Sequence, residues 1–287
     1  MLWILLSVGT AFFSASEAAL TRHGFQHASP SSAVVAPLIF SLPLFALTLP
    51  FLEPPQLQPG FWSVLALLVP INAAGYYLQN WSFKSSPLSL TVPFMAFTPV
   101  FVLGTGFLYL GERPSAWGCL GVLVTVVGGY MLYADEKGGV LAPFRAILRE
   151  RGSVLMLAAA LVWSVASVMG KQLILLSSPI YAGCVFSLAH NAALLLFLLL
   201  IGQVRPRELR PRIRHQLGLG LCLYLHIICH FAAVSMTTVA YMLSIKRLNG
   251  LFALGFERFL FGQPMLRHRL YGTAWMTAGA VIIALMG

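Results

Sequence analysis

Ten times along its length this chain runs through about twenty mostly apolar residues, and that pattern limits its fold more than any other feature. The runs fall near 1–20, 33–52, 61–83, 87–110, 116–134, 153–173, 179–201, 216–235, 238–261 and 269–286. A run of this length crosses a bilayer as a helix, because inside the hydrocarbon every backbone polar group must be bonded within the segment. Of the 287 residues 59% are hydrophobic and 9% charged, against about 25% charged in an ordinary soluble chain. There is too little polar surface here to coat a water-soluble body. The short alternating strands of a membrane barrel are missing. The expected fold is an all-α polytopic membrane protein with ten transmembrane helices.

The first run, MLWILLSVGTAFFSASEAAL, lacks the basic leading region of a signal peptide and is followed by nine more, so it reads as a retained helix. Cys119, Cys184, Cys222 and Cys229 all fall inside apolar runs without metal-knuckle spacing, and read as small buried residues.

The formal charge of +10 is distributed by loop. Loops after odd-numbered helices hold thirteen Lys and Arg, loops after even-numbered helices hold Arg113 and Lys171, and Lys246, Arg247 and Arg258 lie in the ninth run. The positive-inside rule then puts the odd loops in the cytoplasm and both termini outside. The run RPRELRPRIRH (205–215) reads as an anchor beside anionic headgroups, with no nucleic-acid role. PFRAILRER (143–151) reads as a short interfacial helix linking two halves.

Those halves are copies of each other. FLYLGERPSAWGCLGVLVTVVGGYML (107–132) aligns with RFLFGQPMLRHRLYGTAWMTAGAVII (258–283) at a constant separation of 151, pairing Gly111 with Gly262, Gly121 with Gly272 and Gly128 with Gly279. At a slightly smaller separation Ser29-Pro30 mirrors Ser178-Pro179. The division is a first five-helix repeat at 1–134, an interfacial linker at 135–152 and a second repeat at 153–287. Two copies of an odd-span unit must sit in opposite orientations. Inverted repeats are an architecture of secondary transporters, with the site between the repeats near the midplane. No GxxxxGK[ST] phosphate loop is present.

LYLGERPSAWGCLG (108–121) and FLFGQPMLRHRLYG (259–272) share an apolar span, Gly-Glu or Gly-Gln, a polar turn and a Gly-rich helix. In this the chain resembles the EamA-type members of the drug/metabolite transporter superfamily, over essentially its whole length. The resemblance implies two inverted five-helix bundles around a central cavity, the first, third and fourth helices of each half lining the path and the fifth peripheral. The chain departs from the pattern in having Gln263 opposite Glu112, and EPPQLQPG (53–60) without basic residues. Ten-helix relatives are often described with cytoplasmic termini; the charge count here points the other way and is retained. A cell membrane, the bacterial inner membrane for this class, is the expected location.

Charge inside a span costs at least about 2.5–3.5 kcal/mol near the bilayer centre and flags function. Lys246 and Arg247 lie too deep in the ninth run for easy snorkelling, and are assigned to the cavity with Asn249; a structural bond to neighbouring carbonyls is the other reading. Lys246 and Glu257 share a face, about 16 Å apart at 1.5 Å per residue. Glu257 and Arg258 are read as snorkelling or locally paired. Glu17 is either interfacial or a proton carrier and partner of Lys246, since a carboxyl shielded from water holds its proton more readily. Asn72, Tyr76, Gln79 and Asn80 of the third helix, and His226 and His230 of the eighth, are candidate substrate contacts, the histidines reading equally as proton contacts or as core hydrogen-bonding groups. Two histidines one turn apart can hold a metal, but no third ligand is fixed, so no metal or cofactor is assigned. His190-Asn191 reads as a helix–helix hydrogen bond. Pro93 and Pro99, with Gly250 opposite, mark helix breaks at corresponding positions of the halves. The remaining glycines of the fifth and tenth helices read as close packing.

The function expected is a secondary transporter of a small polar metabolite, anionic or zwitterionic, such as an amino acid or a phosphate-bearing metabolite. Its partners are that substrate and the lipid bilayer, and a homodimer is compatible with them. Competing readings are a proton-driven exporter of lipophilic cations, a lipid-headgroup flippase and a non-transporting scaffold. No HExxH, no GxSxG and no paired intramembrane aspartates argue for an enzyme.

Overall fold

The computed structural model describes residues 1–24, 30–86, 88–133, 150–202, 213–262 and 267–287. The expected interfacial helix up to residue 149, the basic run 205–212 and Gln263 lie outside the described residues. Among the described residues the chain is helical, without strands. Span 1 is Leu2–Gly24, span 2 Pro30–Thr48, span 3 Phe61–Ser85, span 5 Ala116–Tyr133, span 6 Arg151–Leu175, span 7 Pro179–Leu200, span 8 Ile213–Met236 and span 10 Arg267–Met286.

Spans 4 and 9, equivalent under the repeat, are both interrupted. Span 4 passes from Leu88–Thr91 through a 3-10 stretch, Val92–Phe97, into Thr98–Leu110. Pro93 opens the 3-10 stretch and Pro99 sits in the first turn of the following helix, where a missing N–H costs nothing. Span 9 comprises Val239–Lys246 and Asn249–Phe261. The continuous helix expected over 238–261 is therefore two. At the junction Leu248 N–H donates to Ile245 O (3.0 Å) and Gly250 N–H to Arg247 O (3.1 Å), tightening the turn to i→i+3. The break falls at Arg247-Leu248, just before the expected Asn249-Gly250. Both pieces end alike: Gly111 (φ 68°) and Gly262 (φ 63°) cap them in the left-handed conformation, which a residue without Cβ adopts freely.

The halves interleave. Span 1 packs on span 8 and on both pieces of span 9, while span 6 packs on span 3 and span 4. Span 2 meets spans 8 and 7; span 7 meets spans 3 and 2. Adding five to each span number reproduces the pattern, the signature of a twofold relation. The direction of that relation follows from the ends. Lys171 near the end of span 6 bonds Thr237 O, just before span 9, whereas Glu257 near the end of span 9 pairs with Arg22 at the end of span 1. Span 9 joins these two levels, so spans 1 and 6 run in opposite directions. The repeats are inverted.

Spans 5 and 10 pack against each other through the repeated glycines. A Cβ on Gly272 would lie 2.9 Å from Gly128 O, and one on Gly279 2.6 Å from Gly121 O. Backbones this close exclude any side chain at those four points.

Candidate functional site

Between the halves lies a cavity of about 550 Å³, a size suited to a small metabolite. Spans 1, 2, 3, 4, 6, 7, 8 and 9 line it and spans 5 and 10 do not. Its walls correspond position by position. Ser14, Glu17 and Thr21 of span 1 answer to Trp163, Ala166 and Gly170 of span 6, 149 residues later. Pro37 and Leu38 answer to Phe186 and Ser187 at the same separation. Asn72, Tyr76 and Gln79 answer to Leu223, Ile227 and His230, and Met95 and Thr98 to Lys246 and Asn249, 151 residues later.

Of the residues singled out from the sequence, Lys246, Arg247, Asn249, Asn72, Tyr76, Gln79, His226, His230 and Glu17 all line this cavity. Asn80 does not: it is exposed and donates to Tyr76 O (2.8 Å), so its own helix satisfies it. Pro93, Pro99 and Gly250 are buried beside the cavity rather than in its lining; Met95, Thr98 and Asn249, next to the breaks, are the groups presented. Glu17 Oε2 lies 3.7 Å from His226 Nδ1, and Lys246 stands within electrostatic reach of the same carboxyl without touching it. Lys246 makes no hydrogen bond or ion pair shorter than 4 Å with any described residue. Glu257 does not pair with Arg258, which is exposed, but with Arg269 (2.8 Å) and Arg22 (3.5 Å). His190-Asn191 does bridge helices: Asn191 Nδ2 donates to Ser41 Oγ of span 2 (3.1 Å) and His190 bonds the Val69 backbone of span 3, its Nδ1 left unbonded, and both residues line the cavity.

Several polar atoms around the cavity are shielded from solvent without a hydrogen bond: both ring nitrogens of His226, Nδ1 of His230 and Oγ of Ser187. Leaving such a group unbonded costs about 1–3 kcal/mol. The His226 and His230 rings stand nearly perpendicular, centroids 6.5 Å apart. Among the described residues no third His, Cys, Asp or Glu joins them to make a metal site.

A second group went unnoticed in the sequence. Lys171 Nζ donates to Glu112 Oε1 (2.6 Å) and to Thr237 O (2.7 Å), and Glu112 also accepts from Val239 N–H (3.0 Å). The two side chains are 14% and 9% exposed. Lys171 belongs to span 6 and not to the loop after it, and its equivalent 149 residues earlier is Arg22. Each half thus ends its first span on a base that pairs with an acid at the far end of the other half's fourth span.

The sequence matches the family model described as the EamA-like transporter family twice, over residues 1–134 and 150–285. Among curated proteins no relative matches. Of 29 solved chains that match, one titled "Crystal structure of protein" superposes with a TM-score of 0.74 at 16% identity, covering 99% of this chain and 96% of its own. That likeness concerns the fold.

Proposed function

The chain belongs to the EamA-like transporter family, a family of membrane transporters, and from that premise we propose that it carries a small anionic or zwitterionic metabolite by alternating access. One observation carries the reading. A single cavity is walled by corresponding residues of two inverted halves, the arrangement in which rocking one half against the other moves a site between the two membrane faces. Lys246 and Arg247 against Glu17 leave the cavity net positive, so the substrate bears an anionic group. The unbonded imidazole and hydroxyl atoms ask for a ligand that also donates and accepts hydrogen bonds. On the charge count, the Arg22–Glu257 end faces the cytoplasm.

The test is counterflow in proteoliposomes over amino acids, nucleotides, sugar phosphates and cationic dyes. Anionic or zwitterionic solutes exchange, and Lys246→Ala and Arg247→Ala each lower their binding at least tenfold. Normal binding and flux in both variants would remove these residues from the site.

Export of lipophilic cations draws on one observation, that Glu17 does line the cavity. It also requires Lys246 to be turned away, and Lys246 lines the same cavity. Exchange of the dyes alone favours that second reading. In either case Glu17→Gln abolishes the response of flux to an imposed pH gradient. Coupled flux that survives the substitution takes Glu17 out of the mechanism.

A further inference from the structure

The two walls of the cavity are related by the repeat in position and opposed in chemistry. Spans 1, 8 and 9 form one side; they pack on one another, and carry every charged residue in the lining, Glu17, Lys246 and Arg247, together with His226 and His230. Their equivalents, spans 3, 4 and 6, with span 7 packed against spans 3 and 6, form the other, which lines the cavity with no Asp, Glu, Lys or Arg. The position of Lys246 is taken there by Met95, that of Glu17 by Ala166 and that of Ser14 by Trp163.

In place of charge this second wall has rings in contact. Tyr76 meets Trp163 edge-on at 5.7 Å and His190 at 6.4 Å, and His190 stacks on Phe186 at 5.5 Å with planes 21° apart. The row is held in place: Trp163 Nε1–H donates to Gln79 Oε1 (3.3 Å), while Phe186 continues to Phe231 at 6.0 Å. Tyr76, Trp163, Phe186 and His190 all line the cavity, where a planar π-system finds offset or edge-on partners and a saturated body of equal bulk does not.

The first wall holds Lys246, which makes no hydrogen bond or ion pair within 4 Å to a described residue and has Glu17 within electrostatic reach, beside ring nitrogens of His226 and His230 that lack hydrogen bonds. An ammonium held out of water in this way is completed by an anion.

We infer that the substrate is two-ended: an aromatic acid, its anionic group on the Lys246 side and its ring on the Tyr76–Trp163–Phe186 side. This rests on the transporter reading above and narrows it. Aliphatic metabolites of the same charge meet only one wall, and neutral or cationic aromatics only the other. The twofold architecture fixes where the walls are, and the break in its symmetry fixes what lies between them.

Four probes on one skeleton separate the terms: 3-phenylpropionate, its saturated analogue 3-cyclohexylpropionate, the neutral 3-phenylpropionamide and the cationic 3-phenylpropylamine. Titrated against the purified full-length protein, 3-phenylpropionate binds at least tenfold tighter than each of the other three. Trp163→Leu collapses the phenyl-to-cyclohexyl ratio toward one and keeps the acid-to-amide ratio. Lys246→Gln does the reverse, so each variant is the folding control for the other. Equal binding of the phenyl and cyclohexyl acids, or of acid and amide, overturns the inference; counterflow of other anions in the same vesicles would leave the transporter reading standing. Failure of every solute to bind or exchange overturns both.

Discussion

The two ends of the cavity carry the same device in different condition. At one end Glu112 and Lys171 meet at 2.6 Å, largely shielded, with Thr237 O and Val239 N–H completing their bonds. At the other Glu257 reaches Arg22 at 3.5 Å, with the two side chains 30% and 44% exposed, and divides its charge with Arg269. Under the inverted repeat the bases Lys171 and Arg22 are equivalent but their acids are not, Glu112 corresponding to Gln263 and Glu257 to Gly106, so the ends differ in sequence as well as in distance. One end is closely paired and shielded, the other loosely paired and more exposed. A carrier that opens at one face at a time requires such an inequality between its ends.

The sharpest way to break the comparison is Lys171→Ala. It leaves Glu112 shielded beside Val239 without its countercharge, and removing one partner of a buried pair costs about 3–5 kcal/mol. A large fall in thermal midpoint in detergent is expected, and a shift below 1 °C would show that the pair does not hold this end. Exchanging the charges, Glu112→Lys with Lys171→Glu, recovers only part of that loss, because the new lysine cannot accept from Val239 N–H. Full recovery would mean that the backbone bond is idle.

A finer cut is Val239→Pro. Val239 is the first residue of its helix, after Thr238 with extended backbone (φ −66°, ψ 148°), so proline fits the conformation while deleting the N–H that Glu112 accepts. A hydrogen bond to a charged group contributes about 1.5–3 kcal/mol, and the expected loss lies below that of Lys171→Ala. Equal losses would make the peptide bond the main tie. The smallest effect belongs to Glu257→Gln. An exposed pair contributes about 0.2–1 kcal/mol and is screened by salt, so the midpoint moves little and the difference vanishes at high ionic strength. A cost matching that of Lys171→Ala would erase the distinction between the ends.

Much of the fold was legible because hydrophobic runs and glycine spacing are local signals. The runs gave the spans, and four glycines at one separation anticipated the backbone contact of spans 5 and 10. The charges of span 9 were recognised because their cost in a bilayer makes them conspicuous. What escaped notice was relational. Lys171 and Glu112 lie 59 residues apart in different halves, and each alone looked like an ordinary residue at a span end. A search for a base equivalent to Arg22 would have found Lys171. The aromatic wall was missed for the opposite reason: Trp163 and Phe186 stand in apolar helices where such residues are expected, and only the packing of spans 3, 6 and 7 sets them in a row. Asn80 was over-read because a polar side chain on a helix can satisfy itself on the preceding turn.

The central claim is that the cavity opens at one end at a time. Paired spin labels measure it directly: one pair at Arg113 and Met236 across the Glu112–Lys171 end, a second at Lys84 and Arg258 across the other. In lipid, Lys171→Ala lengthens the first distance and shortens the second. Both distances unchanged, or both longer, would contradict alternating access in this protein.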